Sequence, residues 1–100
     1  MARITVVGTF GIKPGRMDEF ISLQKEFATS RCPVGLLGGR MYRSRNGTKA
    51  VLVSQFESAQ AQEAVMQSRE LQSHIGRLRE MVDSSSPDVY DEAYTYGEFE

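Results

Sequence analysis

The side chain best suited to proton transfer is His74, the only histidine in this chain of 100 residues. An imidazole has an ordinary pKa near ~6.5, so it can act as a general base or bind iron near neutral pH. His74 directly precedes Ile75 in an apolar stripe with helical spacing, which places it at the edge of a buried helix face. The alternative is a structural role, as a half-exposed histidine that is hydrogen-bonded to a neighbour.

No other residues complete a catalytic constellation around this histidine. Cys32 is the single cysteine, which excludes an internal disulfide and a thiolate metal cluster. Asp88, Asp91 and Glu92 are carboxylates, but with one histidine they do not predict a protein metal site. The segment 8–11 carries glycines, yet it opens no helix and lacks the dinucleotide-binding fingerprint. The sequence therefore predicts neither a metal site nor a nucleotide site.

Small residues on three predicted strands indicate a ligand pocket. Gly8, Gly39 and Ser54 share one face of the sheet, and their missing side chains leave space beneath the helices. The apolar side chains expected to line this pocket are Phe10, Met41, Leu52 and Phe56. Alternatively, the glycines mark bulges or places where a helix packs closely on the sheet.

Apolar periodicity predicts the elements that position these residues, in the order β-α-β-β-α-β. They are a strand over 3–12, a helix over 16–29, a hairpin over 36–56, a helix over 59–82 and a strand over 88–97. Ser58 is the expected N-cap of the second helix, and Ser68 marks a kink or a fresh N-cap within it. The run of serines before Pro87 predicts a loop over 83–87.

The turn residues of the hairpin fix its register. Asn46-Gly47 is typical of a two-residue type I′ turn, which needs positive φ at both positions. Opposed residues then share a face, and the expected pairs are Arg45 with Thr48, Arg43 with Ala50, Met41 with Leu52, Gly39 with Ser54 and Leu37 with Phe56.

This element order predicts an α+β, ferredoxin-like domain spanning 1–100, a four-stranded antiparallel sheet with two helices on one face. The other face carries Val7, Tyr42, Val51 and Val53, which is too apolar to leave in water. We expect a second copy of the chain to cover it, in a homodimer. Tyr90, Tyr94, Tyr96 and Glu92 share one face of the last predicted strand, as a tyrosine-rich dimer seam or as groups that stack on an aromatic substrate.

Composition limits the remaining partners and the location. The formal net charge of −1 argues against a nucleic-acid-binding protein, and the third strand lacks the aromatic residues that an RNA-binding domain of this element order needs. No apolar run approaches the ~20 residues of a membrane span. The first residues lack a signal-peptide pattern, so a cytoplasmic location is expected.

Three motifs give the chain a resemblance to a known family. They are the opening strand running into Ile12-Lys13-Pro14-Gly15, the strand end at residues 53–58, and Ser68 to His74 in the second helix. In order and spacing they resemble the antibiotic-biosynthesis-monooxygenase-like domains, which form dimeric α+β barrels. The resemblance covers nearly the whole chain.

The resemblance implies several activities. Some family members are monooxygenases that oxidise aromatic phenols with O₂ and no cofactor, and others degrade haem. His74 falls where haem-degrading members place their iron-binding histidine. Those members also use an asparagine, where this chain has Gly8, and a tryptophan, which this chain lacks.

The functional prediction is a cofactor-independent monooxygenase that acts on a small aromatic or quinol-like substrate. His74 is the expected proton acceptor, in an apolar pocket between helices and sheet. The alternatives are a non-catalytic dimer that binds a small hydrophobic ligand or haem, and a haem-degrading enzyme.

Overall fold

Alternating β-branched residues build the central sheet. The computed structural model describes residues 3–30 and 33–98. It has strands β1 (Ile4–Ile12), β2 (Leu36–Arg43), β3 (Lys49–Phe56) and β4 (Val82–Tyr90), and helices α1 (Met17–Ser30), α2 (Ala59–Met66) and α3 (Arg69–Leu78). The four strands are antiparallel to their neighbours in the order β2-β3-β1-β4. The predicted α+β ferredoxin-like fold is confirmed.

Two apolar clusters hold the helices to the sheet. One contains Ile12, Ala50 and Leu78 around Phe20, whose side chain is fully buried. The other joins Ile4, Phe56 and Val65. Ile4 and Ile12 are the two ends of β1, so the clusters lie at opposite ends of the sheet and leave the middle less filled.

The second predicted helix is two helices, because Ser68 starts a new one. Ser58 caps α2 by accepting a hydrogen bond from the Ala61 amide at 3.1 Å, and Ser68 caps α3 through the Leu71 amide at 3.2 Å. Ser68 also donates its hydroxyl proton to the Val65 carbonyl at 2.7 Å, which ties the end of α2 to the start of α3. Both caps are confirmed, whereas the predicted extension to residue 82 is wrong: α3 ends at Leu78.

The last strand differs most from the prediction. The segment 83–87, expected as a loop, belongs to β4, and residues 91–96 have no regular structure. β4 is an edge strand that pairs with β1 through its backbone, for example Ser86 with Thr9. Its serines are exposed, so the strand forms without the alternating apolar residues from which strands are predicted. Pro87 is tolerated because an edge strand has one unpaired side. The predicted tyrosine face is therefore not formed, and Tyr94 and Tyr96 are 77% and 82% exposed.

The hairpin keeps most of its predicted register but not its turn. Ser44 accepts from the Gly47 amide, and no described residue other than glycine has positive φ, which excludes type I′. The Asn46 side chain accepts from the Thr48 amide and hydroxyl instead, and this stabilises a wider loop. The pairs from Arg43 with Ala50 to Gly39 with Ser54 are confirmed.

A bulge between Leu36 and Gly38 then shifts the hairpin register by one residue. Leu36, and not Leu37, therefore faces Phe56, and Leu37 is 48% exposed. Cys32, the single cysteine, is outside the described residues.

Gly35 is a position where a side chain is expected to be costly. Its φ is +91°, and a Cβ atom there would lie 2.5 Å from the Ala61 Cβ in α2. We expect Gly35→Ala to lower the free energy of unfolding by about 2 kcal/mol, from the positive φ and the contact together. Gly76→Ala is the control, because nothing lies near that Cβ and alanine stabilises a helix interior by about 0.5–1 kcal/mol. Urea denaturation measures both, and equal stabilities would contradict the prediction.

Candidate active site

An apolar cavity of about 430 Å³ occupies the space between the two clusters. Its floor is the β2–β3 half of the sheet, and its walls come from α1, α2 and α3. Phe56, Val65 and His74 are buried lining residues, whereas Leu37, Gly38 and Gly39 are exposed lining residues. The cavity therefore opens at the β2 edge of the sheet and ends beneath the helices.

The structure brings together most of the predicted pocket residues. Those that line the cavity are Gly39, Met41, Leu52, Ser54 and Phe56. A side chain at Gly39 would clash with the backbone of β3, since a Cβ there would lie 2.7 Å from the Val53 carbonyl oxygen. The missing side chain leaves the mouth of the cavity open.

Gly8 and Phe10 do not line this cavity. The Phe10 ring lies over Gly8, where a Cβ would be 3.1 Å from the ring Cζ, so the space left by the glycine is already filled. Phe10 packs on Phe20 with ring centroids 5.1 Å apart and belongs to the core around it. The geometry places both residues in the scaffold beside the cavity.

His74 is held inside the helix layer at one end of the cavity. It is only 5% exposed, and its Nε2 lies 2.6 Å from Oε1 of Gln24 on α1. Its ring also stacks on Phe27, with centroids 4.3 Å apart and planes inclined by 16°. The hydrogen bond to a neighbour is the one that the structural alternative expects, whereas the ring is buried and not half-exposed, and it forms part of the cavity wall.

The surroundings of His74 favour its neutral form. Burial lowers the pKa of His74 below its usual value of 6.5, and the positive charge of Arg77 lowers this pKa further. The negative charge of Glu26 acts in the opposite direction but does not cancel these effects. The imidazole is therefore neutral at physiological pH.

Sequence reasoning missed the partners of His74. Gln24 and Phe27 lie on the apolar face of α1. With helical spacing this face consists of Met17, Phe20, Ile21, Gln24, Phe27 and Ala28, and Gln24 is its one polar residue. A polar side chain on a buried face needs a partner, so this position was a usable signal. The sequence does not tell which distant residue supplies the partner.

Haem does not fit His74 as it is placed. An iron ligand needs the Nε2 lone pair, whereas in this structure Nε2 donates its proton to Oε1 of Gln24 and the ring stacks on Phe27. Across residues 3–30 and 33–98, no group of three or more His, Cys, Asp and Glu side chains is arranged to hold a metal ion.

The comparison with protein families identifies the chain. A sequence model of the antibiotic biosynthesis monooxygenase family matches residues 3–77. The chain belongs to this family. The family resemblance that the motifs indicated is thus confirmed over three quarters of the chain, including β1, the hairpin and the helix that carries His74.

Solved structures show how widely this family fold is shared. SnoaB, a cofactor-independent oxygenase from Streptomyces nogalater, superposes with a TM-score of 0.86 at 19% identity, over 98% of this chain and 100% of SnoaB. A conserved protein from Methanosarcina mazei gives 0.79 at 18% identity, over 90% and 92% of the two chains. A protein from Mycobacterium tuberculosis gives 0.77 at 20% identity, over 93% and 100%.

At these identities the structural likeness establishes the fold alone. No curated protein matches the sequence. Within the described chain, no helix is long and apolar enough to cross a membrane.

The lowered pKa of His74 predicts how stability depends on pH. Between the folded pKa and 6.5 the unfolded chain binds more protons than the folded chain, so stability falls as the pH is lowered through this window. The slope from this group is at most about 1.4 kcal/mol per pH unit. His74→Gln, which cannot titrate, is expected to lack this component.

Urea denaturation of both proteins at pH values above and below the window measures the difference. Equal pH dependence in the two proteins would show that the His74 pKa is the same in the folded and unfolded chains.

Proposed function

We propose that this family member is a cofactor-independent monooxygenase that acts on a small aromatic phenol or quinol. The observation that carries the proposal is a buried, neutral imidazole, oriented by Gln24 and Phe27, on the wall of an apolar cavity. Family membership supports the class of reaction, and the apolar lining supports an aromatic substrate.

The first proposed step is removal of a proton from the bound phenol. Oε1 of Gln24 can only accept, so Nε2 carries the proton of the neutral ring while it is bonded to Gln24. In the proposed step a phenolic O–H displaces Gln24, and the ring exchanges its Nε2 proton for one on Nδ1 by way of water. The phenol then transfers its proton to the free lone pair of Nε2. The displaced amide of Gln24 also carries an NH₂ group, and in this proposal that group donates a hydrogen bond to the phenolate oxygen. The negative charge is shared with the ring carbons, which makes the ring electron-rich.

The phenolate then reacts with O₂ without an added reductant. It passes one electron to O₂, and the resulting superoxide and ring radical join through a new C–O bond. His74 returns its proton to give a hydroperoxide. Loss of the ring hydrogen as a proton, with cleavage of the O–O bond, leaves a quinone carbonyl and water. One oxygen atom enters the product, the other leaves as water, and the substrate supplies all the electrons.

The apolar lining has a separate role in this scheme. Residues such as Leu52, Phe56 and Val65 exclude water from the cavity. A water-free site keeps the radical pair together and protects the peroxide from side reactions. The base and the dry cavity are therefore both required.

The role of His74 is tested by His74→Gln, which keeps a polar side chain but removes the base. We expect O₂ uptake with one- to three-ring phenols, without added metal or cofactor, to fall by about 10²–10⁴-fold. Gly76→Ala, on the same helix but outside the cavity, is expected to match the wild type. Undiminished O₂ uptake in His74→Gln would remove His74 from the mechanism. A phenol that binds without any O₂ uptake would show that the chain is a binding module.

We also propose that the chain is a homodimer, located in the cytoplasm, in which the outer face of the sheet is covered by a second copy. This face carries Val7, Val51 and Val53 beside Tyr42, which is 45% exposed. Tyr90 pairs with Thr5 on the same face and is 51% exposed. Such a contiguous apolar surface is typical of an interface.

Native mass spectrometry of the purified protein tests the dimer. Val53→Lys is expected to give monomers, because it places a charge in the centre of the proposed interface. Gln60→Lys introduces the same charge on the exposed side of α2 and is expected to stay dimeric. A monomeric wild-type protein at micromolar concentration would contradict the proposal.

A further inference from the structure

His74 separates the apolar cavity from a second, polar depression on the outside of the helices. This groove, of about 280 Å³, is formed by α1 and α3. His74 and Phe27 line both the groove and the cavity. The imidazole therefore forms part of the boundary between the apolar cavity and the polar groove.

The two ring nitrogens have different surroundings. Nε2 is bonded to Gln24, which lines the cavity and not the groove, so Nε2 lies on the cavity side. Within the described residues, that bond is the only hydrogen bond of the ring, and no buried side-chain nitrogen or oxygen lacks a partner. Nδ1 has no partner, so it is not fully buried and must reach solvent. The groove is the polar compartment that His74 lines.

The groove is open to water and carries both signs of charge. Glu26 from α1 and Arg69, Glu70 and Arg77 from α3 line it, and all four are exposed. On the cavity side, Lys25 of α1 is an exposed lining residue. The effects of Arg77 and Glu26 on the His74 pKa show that the charges of the groove act on the imidazole.

We infer that Nδ1 faces this groove, and that the groove is the route by which protons enter and leave His74 while substrate and O₂ fill the cavity. The inference rests on the proposed role of His74 as the base. Once the phenol has displaced Gln24 and the ring carries its proton on Nδ1, a proton taken from the phenol at Nε2 is matched by release of the Nδ1 proton to water in the groove. Glu26 and Glu70 are the carboxylates placed to pass it to bulk solvent.

The protons balance over the reaction. The O–H bond of the phenol breaks, an N–H bond forms at Nε2, and the N–H bond at Nδ1 breaks. The same path runs in reverse when the peroxide is protonated from Nε2 and Nδ1 regains a proton from the groove. No net proton is released, and no water has to pass through the cavity mouth.

The route is tested by the accessibility of the single histidine to diethyl pyrocarbonate, which modifies neutral imidazole nitrogens. Ser73 is an exposed groove residue next to His74 on α3. Ser73→Trp places an indole over the groove and is expected to slow modification of His74 by about an order of magnitude. Ser73→Ala, and Arg79→Trp at the end of the same helix but outside the groove, are expected to react at the wild-type rate.

Misfolding cannot imitate the expected result. An unfolded or loosened variant exposes His74 and reacts faster, whereas the blocked groove makes it react more slowly. Glu70→Trp closes the same groove from the preceding turn and replaces Ser73→Trp if that variant does not fold. An unchanged modification rate in a folded Ser73→Trp or Glu70→Trp protein would show that the ring is reached through the cavity, and would overturn the inference.

The modification experiment needs no substrate, so it stands even if no phenol is oxidised. Where O₂ uptake is measured, Ser73→Trp is expected to lower kcat and leave KM unchanged, because the substrate contacts in the cavity are untouched. Slower modification with an undiminished kcat would show that the groove reaches His74 but does not carry the protons of turnover.

Discussion

A buried imidazole must have a hydrogen-bond partner, and in this protein one bond of 2.6 Å between His74 and Gln24 meets that need. The bond joins α1 to α3, which are 50 residues apart at this point. Both helices are held to the sheet by the core around Phe20, so the bond can form only when that core is packed. The orientation of the candidate base therefore depends on the whole helix layer.

Much of the architecture follows from local rules. The alternation of Ile4, Val6 and Ile12 defines β1, and Ser58 and Ser68 start their helices as capping chemistry requires. The last strand was predicted at 88–97, later in the chain than β4. Its pairing with β1 uses backbone groups, so the sequence of β4 shows no alternation of apolar residues. The serines of β4 look like a loop when they are read alone. Strand pairing of this kind depends on a distant partner, which sequence patterns do not show.

The candidate site was predictable to the extent that it depends on strand register. Gly39, Met41, Leu52 and Ser54 were correctly placed together, since the hairpin fixes which residues share a face. Phe10 was misplaced because its ring folds back over Gly8, and such a side-chain rotamer is set by the packing of Phe20. Pairing of Gln24 with His74 is likewise a product of helix packing. The sequence thus predicts which residues share a face of the hairpin, but it does not predict which side chains of distant elements come into contact.

The two edges of the sheet share a property that affects how copies of the chain can meet. β4 carries Pro87, which has no amide hydrogen to offer, and β2 is interrupted by the bulge at Leu36 and Gly38. Neither edge offers an unbroken ladder to an added strand, so growth of the sheet into open-ended fibrils is opposed at both ends. In the proposed homodimer the sheets meet through their outer faces, where contact closes after one partner. The bulged edge of β2 that shapes the cavity mouth and the proline of β4 thus both oppose assembly without end.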